Sequence, residues 1–174
     1  MSVLNRLASS QNRRDEVPNQ ELARDLAAKK DKTAIREIAE NLWNKDKNIQ
    51  ADCIKVLYEI GYIDPSLIAD YVDDFVKCLK SKNNRLVWGG MTALAESAKV
   101  TPDAVFRHLD AIKKAKETGS VITVDNSISA LAATAAANKK YGEEIFPYLV
   151  KHLSKCRPKE VPQHAERTLP AVNS

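Results

Sequence analysis

The chain has 174 residues, enough for one domain with a hydrophobic core and short for two. Hydrophobic residues make up 44% and charged residues 29%, a balance that excludes an intrinsically disordered chain. Only 5 residues are Gly, and the many Ala, Leu, Lys and Glu favour helices over strands. No apolar run approaches the roughly 20 residues of a membrane-spanning helix, and the start of the chain lacks the apolar block of a signal peptide. We therefore expect a cytoplasmic, all-α protein with no membrane contact.

The charge is uneven along the chain. Residues 1–80 carry 13 Lys and Arg against 14 Asp and Glu, whereas residues 81–174 carry 14 against 9. The basic C-terminal half is compatible with an acidic partner or with nucleic acid. The three cysteines, Cys53, Cys78 and Cys156, are too scattered for a disulfide framework. Cys53 and Cys78 lie among apolar residues at helical spacing and are predicted to be core residues.

The first 44 residues do not follow the pattern of the remainder. Residues 1–17 are polar after a short apolar start and predict a loose N-terminal arm. Residues 18–44 predict an irregular capping pair of helices, over 19–30 and 33–44, with apolar faces that include Leu22 and Ile38. Trp43 ends the second of these helices and is predicted to lie in the core.

From residue 46 onward a set of three residues, spaced by four, recurs along the chain. Such spacing puts all three on one helix face, and the small middle residue allows a neighbouring helix to approach closely. The last members of the sets are 37, 37 and 38 residues apart. The sets are Ile49, Cys53 and Leu57; Leu86, Gly90 and Leu94; Thr123, Ser127 and Leu131; and Val161, Ala165 and Leu169.

A second helix is predicted after each of the first three sets. Capping residues followed by Pro begin two of them, at Asp64-Pro65 and Thr101-Pro102. Their apolar residues keep the 37-residue step: Val72, Leu109 and Phe146 form one series, and Phe75, Ile112 and Leu149 another. The chain thus predicts three repeats, over 46–80, 83–117 and 120–155, and a C-terminal half-repeat over 159–174. The predicted fold is a right-handed α-α superhelix of stacked antiparallel helix pairs.

The segment from Asn44 to Leu57 resembles the first helix of a HEAT repeat. That family has an Asp, two or three turn residues, an aliphatic and a basic residue, then Ala and Leu at intervals of four. The resemblance covers residues 46 to about 155 and continues more weakly to residue 172. It implies a HEAT or armadillo-like solenoid whose second helices line the concave face. Gln50, Val87 and Val124 stand where the family has a basic residue. The resemblance specifies architecture and is almost silent on function.

Three lysines form the strongest candidate binding surface. Lys77, Lys114 and Lys151 occupy one repeat position, 37 residues apart, so stacking would arrange their amines as a ladder that can meet phosphates or an acidic segment. Exposed lysines of no specific role are the alternative. The further candidates for partner binding are Lys80, Arg107 and Trp88. Trp88 either anchors a partner or packs between repeats.

No catalytic motif, phosphate-binding loop or cofactor signature occurs in the sequence. His152 and Cys156 are four residues apart, but two ligands are a weak signal and we predict neither a metal nor a cofactor. The favoured function is a non-enzymatic scaffold that binds a protein on its concave face. A nucleic-acid-binding solenoid, related to HEAT-like DNA glycosylases, is the main alternative. A HEAT-like chromophore lyase is a third. The sequence leaves the oligomeric state open.

Overall fold

The computed structural model describes residues 1–173, and all regular structure in that range is helical. Short 3₁₀ turns lie at Val3–Arg6, Ser9–Gln11, Asn41–Trp43, Pro65–Leu67, Ala69–Tyr71 and Pro158–Glu160. The α-helices are α1 (Val17–Lys29), α2 (Lys32–Glu40), α3 (Lys47–Ile63), α4 (Val72–Cys78), α5 (Asn84–Ser97), α6 (Pro102–Phe106), α7 (Leu109–Thr118), α8 (Val121–Ala135), α9 (Lys139–Lys155) and α10 (Val161–Val172).

A capping side chain begins each of the three central long helices. Asp46, Asn83 and Ser120 each accept a hydrogen bond from a backbone N–H in the first turn of α3, α5 and α8. Each such cap contributes about 0.5–2 kcal/mol to stability. The three caps are 37 residues apart, so the capping residues follow the same repeat as the core residues.

The helices form two layers. One layer is the unbroken series α1, α3, α5, α8 and α10, in which each helix packs against the next. The other layer consists of α2, α4, α7 and α9, which pack mainly on members of that series. In a curved stack the helices on the inside of the curve approach each other most closely, so the first series is the inner layer. The chain is therefore an α-helical repeat solenoid, as the sequence predicts.

This arrangement corrects one expectation. The resemblance implied that the second helices line the concave face, but α3, α5, α8 and α10 do so. Burial raises the pKa of Tyr62 in α3, and the Arg167 guanidinium of α10 opposes that rise, although α5 and α8 lie between these helices in the series. Strong inward curvature of this layer explains this influence of Arg167 on Tyr62. The lysine ladder consequently belongs to the outer layer.

The core follows the predicted repeat over α3, α5 and α8. Leu57, Leu94 and Leu131 are fully buried. At the middle position of the second set, a Cβ on Gly90 would lie 2.8 Å from the Cys78 Cβ and 3.0 Å from the Phe75 carbonyl oxygen. That position must therefore lack a side chain for α4 and α5 to pack. The division of the chain into repeats at the stated boundaries stays a prediction.

The C-terminal helices depart from the predicted register. In α10 the buried residues are His164, Thr168 and Ala171, while Leu169 is 48% exposed. The reason is that Pro158 and Pro162 impose a new helix start, which rotates α10 relative to the extrapolated pattern.

The helix α9 also departs from the predicted register, because Phe146 is 37% exposed. The continuous helix α9 turns its neighbour Ile145 inward instead, because α9 lacks the break seen between α6 and α7.

The N-terminal segment is also not the loose arm that its polarity predicted. Val3, Leu7 and Ala8 are buried against the first helices. Backbone donors of the segment are satisfied by side chains of the solenoid. The Asn19 Oδ1 accepts from the Ala8 N–H at 3.0 Å, and the Asp52 carboxylate accepts from the Ser9 N–H at 2.8 Å. Three apolar residues among many polar ones suffice to dock the segment, because they fill the open end of the inner layer. Within residues 1–173, no helix combines the length and apolarity needed to cross a membrane.

Replacing Leu7 by Ala should lower the free energy of unfolding by about 2–5 kcal/mol, because it opens a cavity at a fully buried site. Urea denaturation followed by circular dichroism measures this change. Asn5→Ala, at an exposed residue of the same segment, should stay within about 0.5 kcal/mol of the parent. Equal, small effects of both substitutions would show that the segment does not dock in solution.

Candidate functional site

A cavity of about 850 Å³ lies on the inner layer. It is enclosed by the N-terminal segment and the exposed faces of α1, α3 and α5. Its lining includes Asp52, Lys55, Tyr58, Arg85 and Trp88. The mixture of aromatic and charged side chains is typical of a recognition surface, and the cavity is open along the groove of the solenoid.

Lys55 shows which ligand chemistry this cavity suits. Its ammonium lies 2.6 Å from a Glu59 oxygen, 3.0 Å from a Glu16 oxygen and 4.9 Å from the centre of the Tyr58 ring. Burial lowers the pKa of Lys55, but the hydrogen bonds to Glu59 and Glu16 outweigh burial, so its pKa lies above the usual value. Two carboxylates and an aromatic face thus form a complete ammonium site, which the chain fills with its own lysine.

An aromatic cluster continues this surface along the groove. The Tyr58 and Tyr62 rings meet edge to face with centroids 5.7 Å apart, and Tyr58 and Trp88 lie 6.0 Å apart. Tyr62 is 55% exposed, so its ring is available to a partner. Glu96 of α5 approaches Gly61 at the same end of α3. The groove therefore presents aromatic faces bordered by carboxylates.

Small and cationic side chains line the far end of the inner layer. Ser129 and Ala133 of α8 leave room in the groove, and Arg167 of α10 reaches across them. One Arg167 nitrogen donates to the Ser129 hydroxyl at 2.8 Å and to the Asp125 carbonyl at 3.3 Å. The groove thus changes from aromatic side chains with both carboxylates and cations, among them Lys55 and Arg85, at α3 and α5 to small side chains and Arg167 at α8 and α10.

The predicted ligand-binding residues fall on two different layers. Trp88 is half-buried in the inner groove, where it contacts Tyr58. The remaining candidates lie on or beside outer-layer helices, and all are exposed: Lys77, Lys80, Arg107, Lys114 and Lys151. The structure therefore separates Trp88 from the lysines that the sequence analysis grouped with it.

Trp43 is not the core residue that was predicted. It is 40% exposed, and the Lys77 ammonium lies 4.6 Å from the centre of its ring. The 3₁₀ turn Asn41–Trp43 follows α2, and it buries Leu42 while it directs Trp43 outward. The first member of the predicted lysine ladder is thus engaged in a cation–π contact within the chain.

A second cluster, which the sequence analysis missed, lies between α9 and α10. His164 joins His152 and Cys156, and the three ligand atoms lie within 4.8 Å of one another. The cluster borders a surface cavity of about 400 Å³. Spacing revealed only the pair on α9, because His164 reaches it through the turn at Pro158. The signal in the sequence was the proline break before α10, which indicates a turn that allows α9 and α10 to pack against each other.

Comparisons with known proteins extend the description of the fold. No protein-family model matches the chain, and no curated protein matches it. Among solved structures, the chain is similar to an engineered protein of the Northeast Structural Genomics Consortium, with TM-score 0.72 and 23% identity over 98% of this chain and 78% of that one. A designed armadillo repeat protein in complex with the peptide (KR)4 gives TM-score 0.70 and 16% identity over 87% and 68%. Computationally designed armadillo repeat proteins for modular peptide recognition give TM-score 0.64 and 19% identity. These likenesses establish the armadillo-like solenoid fold.

The three thiols should differ sharply in reactivity. Burial raises the pKa of Cys53 and of Cys78 to about 12, so neither forms the reactive thiolate near neutral pH. Cys156 is only partly buried. At pH 8 an aromatic disulfide reagent should therefore modify one thiol of the folded protein quickly and all three after denaturation. Cys156→Ser should remove the fast phase. Rapid reaction of two or three thiols in the folded protein would contradict this assignment.

Proposed function

We propose that this chain is a non-enzymatic scaffold that binds an extended, Lys- or Arg-containing segment of a partner protein in its inner groove. The observation that carries the proposal is the site around Lys55, where Glu16, Glu59 and Tyr58 surround an ammonium group. The proposal also assigns the chain to the HEAT class, on the resemblance of residues Asn44 to Leu57. It further places the protein in the cytoplasm, and the three free thiols support that location.

The groove suits an extended chain rather than a compact domain. Aromatic and charged side chains follow one another from α3 to α5, so successive side chains of a peptide would meet successive helices. Tyr62 and Trp88 offer ring faces for the stems and cationic heads of Lys or Arg, while Glu59 and Glu96 offer acceptors. The designed armadillo protein with a bound (KR)4 peptide shares the fold and supports this type of partner.

The test uses a fluorescein-labelled octapeptide of alternating Lys and Arg, with anisotropy as the readout. Saturable binding to the parent is expected. Trp88→Ala should weaken binding about tenfold or more, because buried aromatic anchors dominate such interfaces. Lys55→Met should tighten binding, because it retains an unbranched apolar stem and frees Glu16 and Glu59 for a peptide cation. Tightening on removal of a lysine near a cationic peptide could also arise from net charge alone, so a matched control is needed.

Lys77→Met supplies that control, because it removes the same charge from the outer layer. Trp43→Ala removes the other tryptophan in the same way. Both should bind the peptide like the parent, and an octapeptide of Glu should not bind. No binding of the basic peptide, or equal effects of Lys55→Met and Lys77→Met, would reject the inner groove as a site for cationic segments.

Nucleic-acid binding through the outer layer is the second candidate. The specific observation in its favour is that Lys77, Lys114 and Lys151 are all exposed on helices of that layer. Lys113 of α7 adds a further ammonium nearby in the sequence, 4.6 Å from the centre of the Tyr148 ring. Such a surface would bind the phosphate backbone without regard to base sequence.

Anisotropy with labelled single- and double-stranded DNA and RNA tests this candidate at several salt concentrations. If the lysines bind phosphates, affinity should fall steeply with salt and be lost in the Lys77→Glu, Lys114→Glu, Lys151→Glu triple variant. The inner-groove variant Trp88→Ala should then retain binding. Absence of binding at low salt would reject the outer layer as a nucleic-acid site.

A further inference from the structure

The cluster between α9 and α10 has the donor set of a transition-metal site. His152 lies in the last turn of α9, Cys156 is the residue that follows the end of α9, and His164 lies in the first part of α10. The His152 Nε2 and the His164 Nδ1 are 2.9 Å apart, and the Cys156 Sγ completes a set within 4.8 Å. Two imidazoles and a thiolate bind borderline metals such as Zn²⁺, whereas Mg²⁺ and Ca²⁺ require oxygen ligands.

The separations suit one tetrahedral ion after a small adjustment. Zn–N bonds of about 2.05 Å and a Zn–S bond of about 2.3 Å place nitrogen ligands about 3.3 Å apart, and nitrogen and sulfur about 3.6 Å apart. The two imidazole nitrogens must therefore separate by about 0.4 Å from their present 2.9 Å. The Cys156 side chain follows the end of α9 and can rotate toward them, since its present contact is a 3.6 Å interaction with the Leu153 carbonyl.

His164 is already oriented for coordination. Its imidazole is 2% exposed, its Nε2 lies 2.9 Å from the Asp125 Oδ1, and its Nδ1 faces His152. When the Nε2–H of His164 donates a hydrogen bond to the Asp125 carboxylate, the imidazole is held in the tautomer that has a lone pair on Nδ1. A carboxylate behind a histidine ligand is the usual support of a zinc site, because it sets the ring orientation and raises ligand basicity.

The fourth position of such an ion would face the 400 Å³ cavity. Three protein ligands with one open position are characteristic of zinc sites that hold water or a small ligand. Lys155 and Arg157 also line the cavity. Arg157 is paired with Glu160, which offsets one of these charges.

We propose that His152, Cys156 and His164 bind one Zn²⁺ ion, with Asp125 as the carboxylate that positions His164. Coordination displaces the proton of the Cys156 thiol to solvent. The proton that now lies between the two imidazoles moves to the Nδ1 of His152, so both nitrogens that face each other present lone pairs to the ion. The ion replaces the hydrogen bond between His152 and His164 and ties α9 to α10.

Titration of the reduced, full-length protein with Co²⁺ tests the site, because Co²⁺ substitutes for Zn²⁺ and reports its ligands in the absorption spectrum. One equivalent should produce a thiolate-to-metal charge-transfer band in the near ultraviolet and intense ligand-field bands of a tetrahedral ion. Added Zn²⁺ should displace both. Cys156→Ser should abolish the charge-transfer band, and His152→Gln should weaken affinity at least tenfold. Asp125→Asn should weaken it about 10–100-fold, as loss of a supporting carboxylate does at other sites.

His108→Gln is the matched control, since His108 also contacts a carboxylate, Asp73, but lies outside the cluster, at the start of α7. It should bind Co²⁺ like the parent. Circular dichroism verifies that each variant is folded; if Asp125→Asn unfolds, the partly exposed Cys156 and His152 carry the test. No charge-transfer band in the folded parent, or a band that survives in Cys156→Ser, would overturn the proposal. The three side chains would then be a hydrogen-bonded packing cluster.

Discussion

Close approach of helices in the inner layer is the constraint on which the rest of this structure depends. One helix pair cannot bury its own apolar face, so each pair must rest on the next. Within the inner layer, Gly89 of α5 meets the Ile54 side chain of α3, and a Cβ on Gly89 would lie 2.8 Å from the Ile54 Cγ1. Gly90 beside it allows α5 to pack on α4, and Cys53 and Ser127, at the equivalent positions of α3 and α8, are fully buried. Because the inner helices approach so closely, the stack curves toward them.

That curvature creates the groove in which recognition is proposed. It brings the inner faces of α3 and α5 under the docked N-terminal segment, which closes one end of the 850 Å³ cavity. The segment supplies Glu16 to the site around Lys55, so its docking and the binding chemistry are coupled. A salt bridge between exposed groups would contribute little. Here the lysine side chain is only 12% exposed, and its two carboxylates are held on separate elements.

The proposed metal cluster arises from the opposite end of the solenoid. α9 and α10 meet at the proline turn, and α8 lies beneath both. His164 is buried between two polar side chains, with Asp125 on one side and His152 on the other. Such a hydrogen-bonded chain satisfies the buried imidazole, and the same lone pairs and the neighbouring thiol are those that a zinc ion needs. The two proposed sites thus lie at opposite ends of the solenoid, one on α1, α3 and α5 and the other on α8, α9 and α10.

The 37-residue repeat in the sequence by itself determined the all-α solenoid, since the cap positions and the spacing of Leu57, Leu94 and Leu131 reflect contacts made within each unit and its immediate neighbour. Only the tertiary structure decided which layer faces inward, because curvature is the sum of many helix contacts that no single unit records. It also decided which residues near the two ends of the solenoid are buried. Leu7 docks and Leu169 is exposed because, at a terminus, a neighbour is missing and the periodic pattern no longer specifies what each face meets. His164 meets Cys156 for a related reason: the turn that joins their helices, rather than any periodicity, sets their distance.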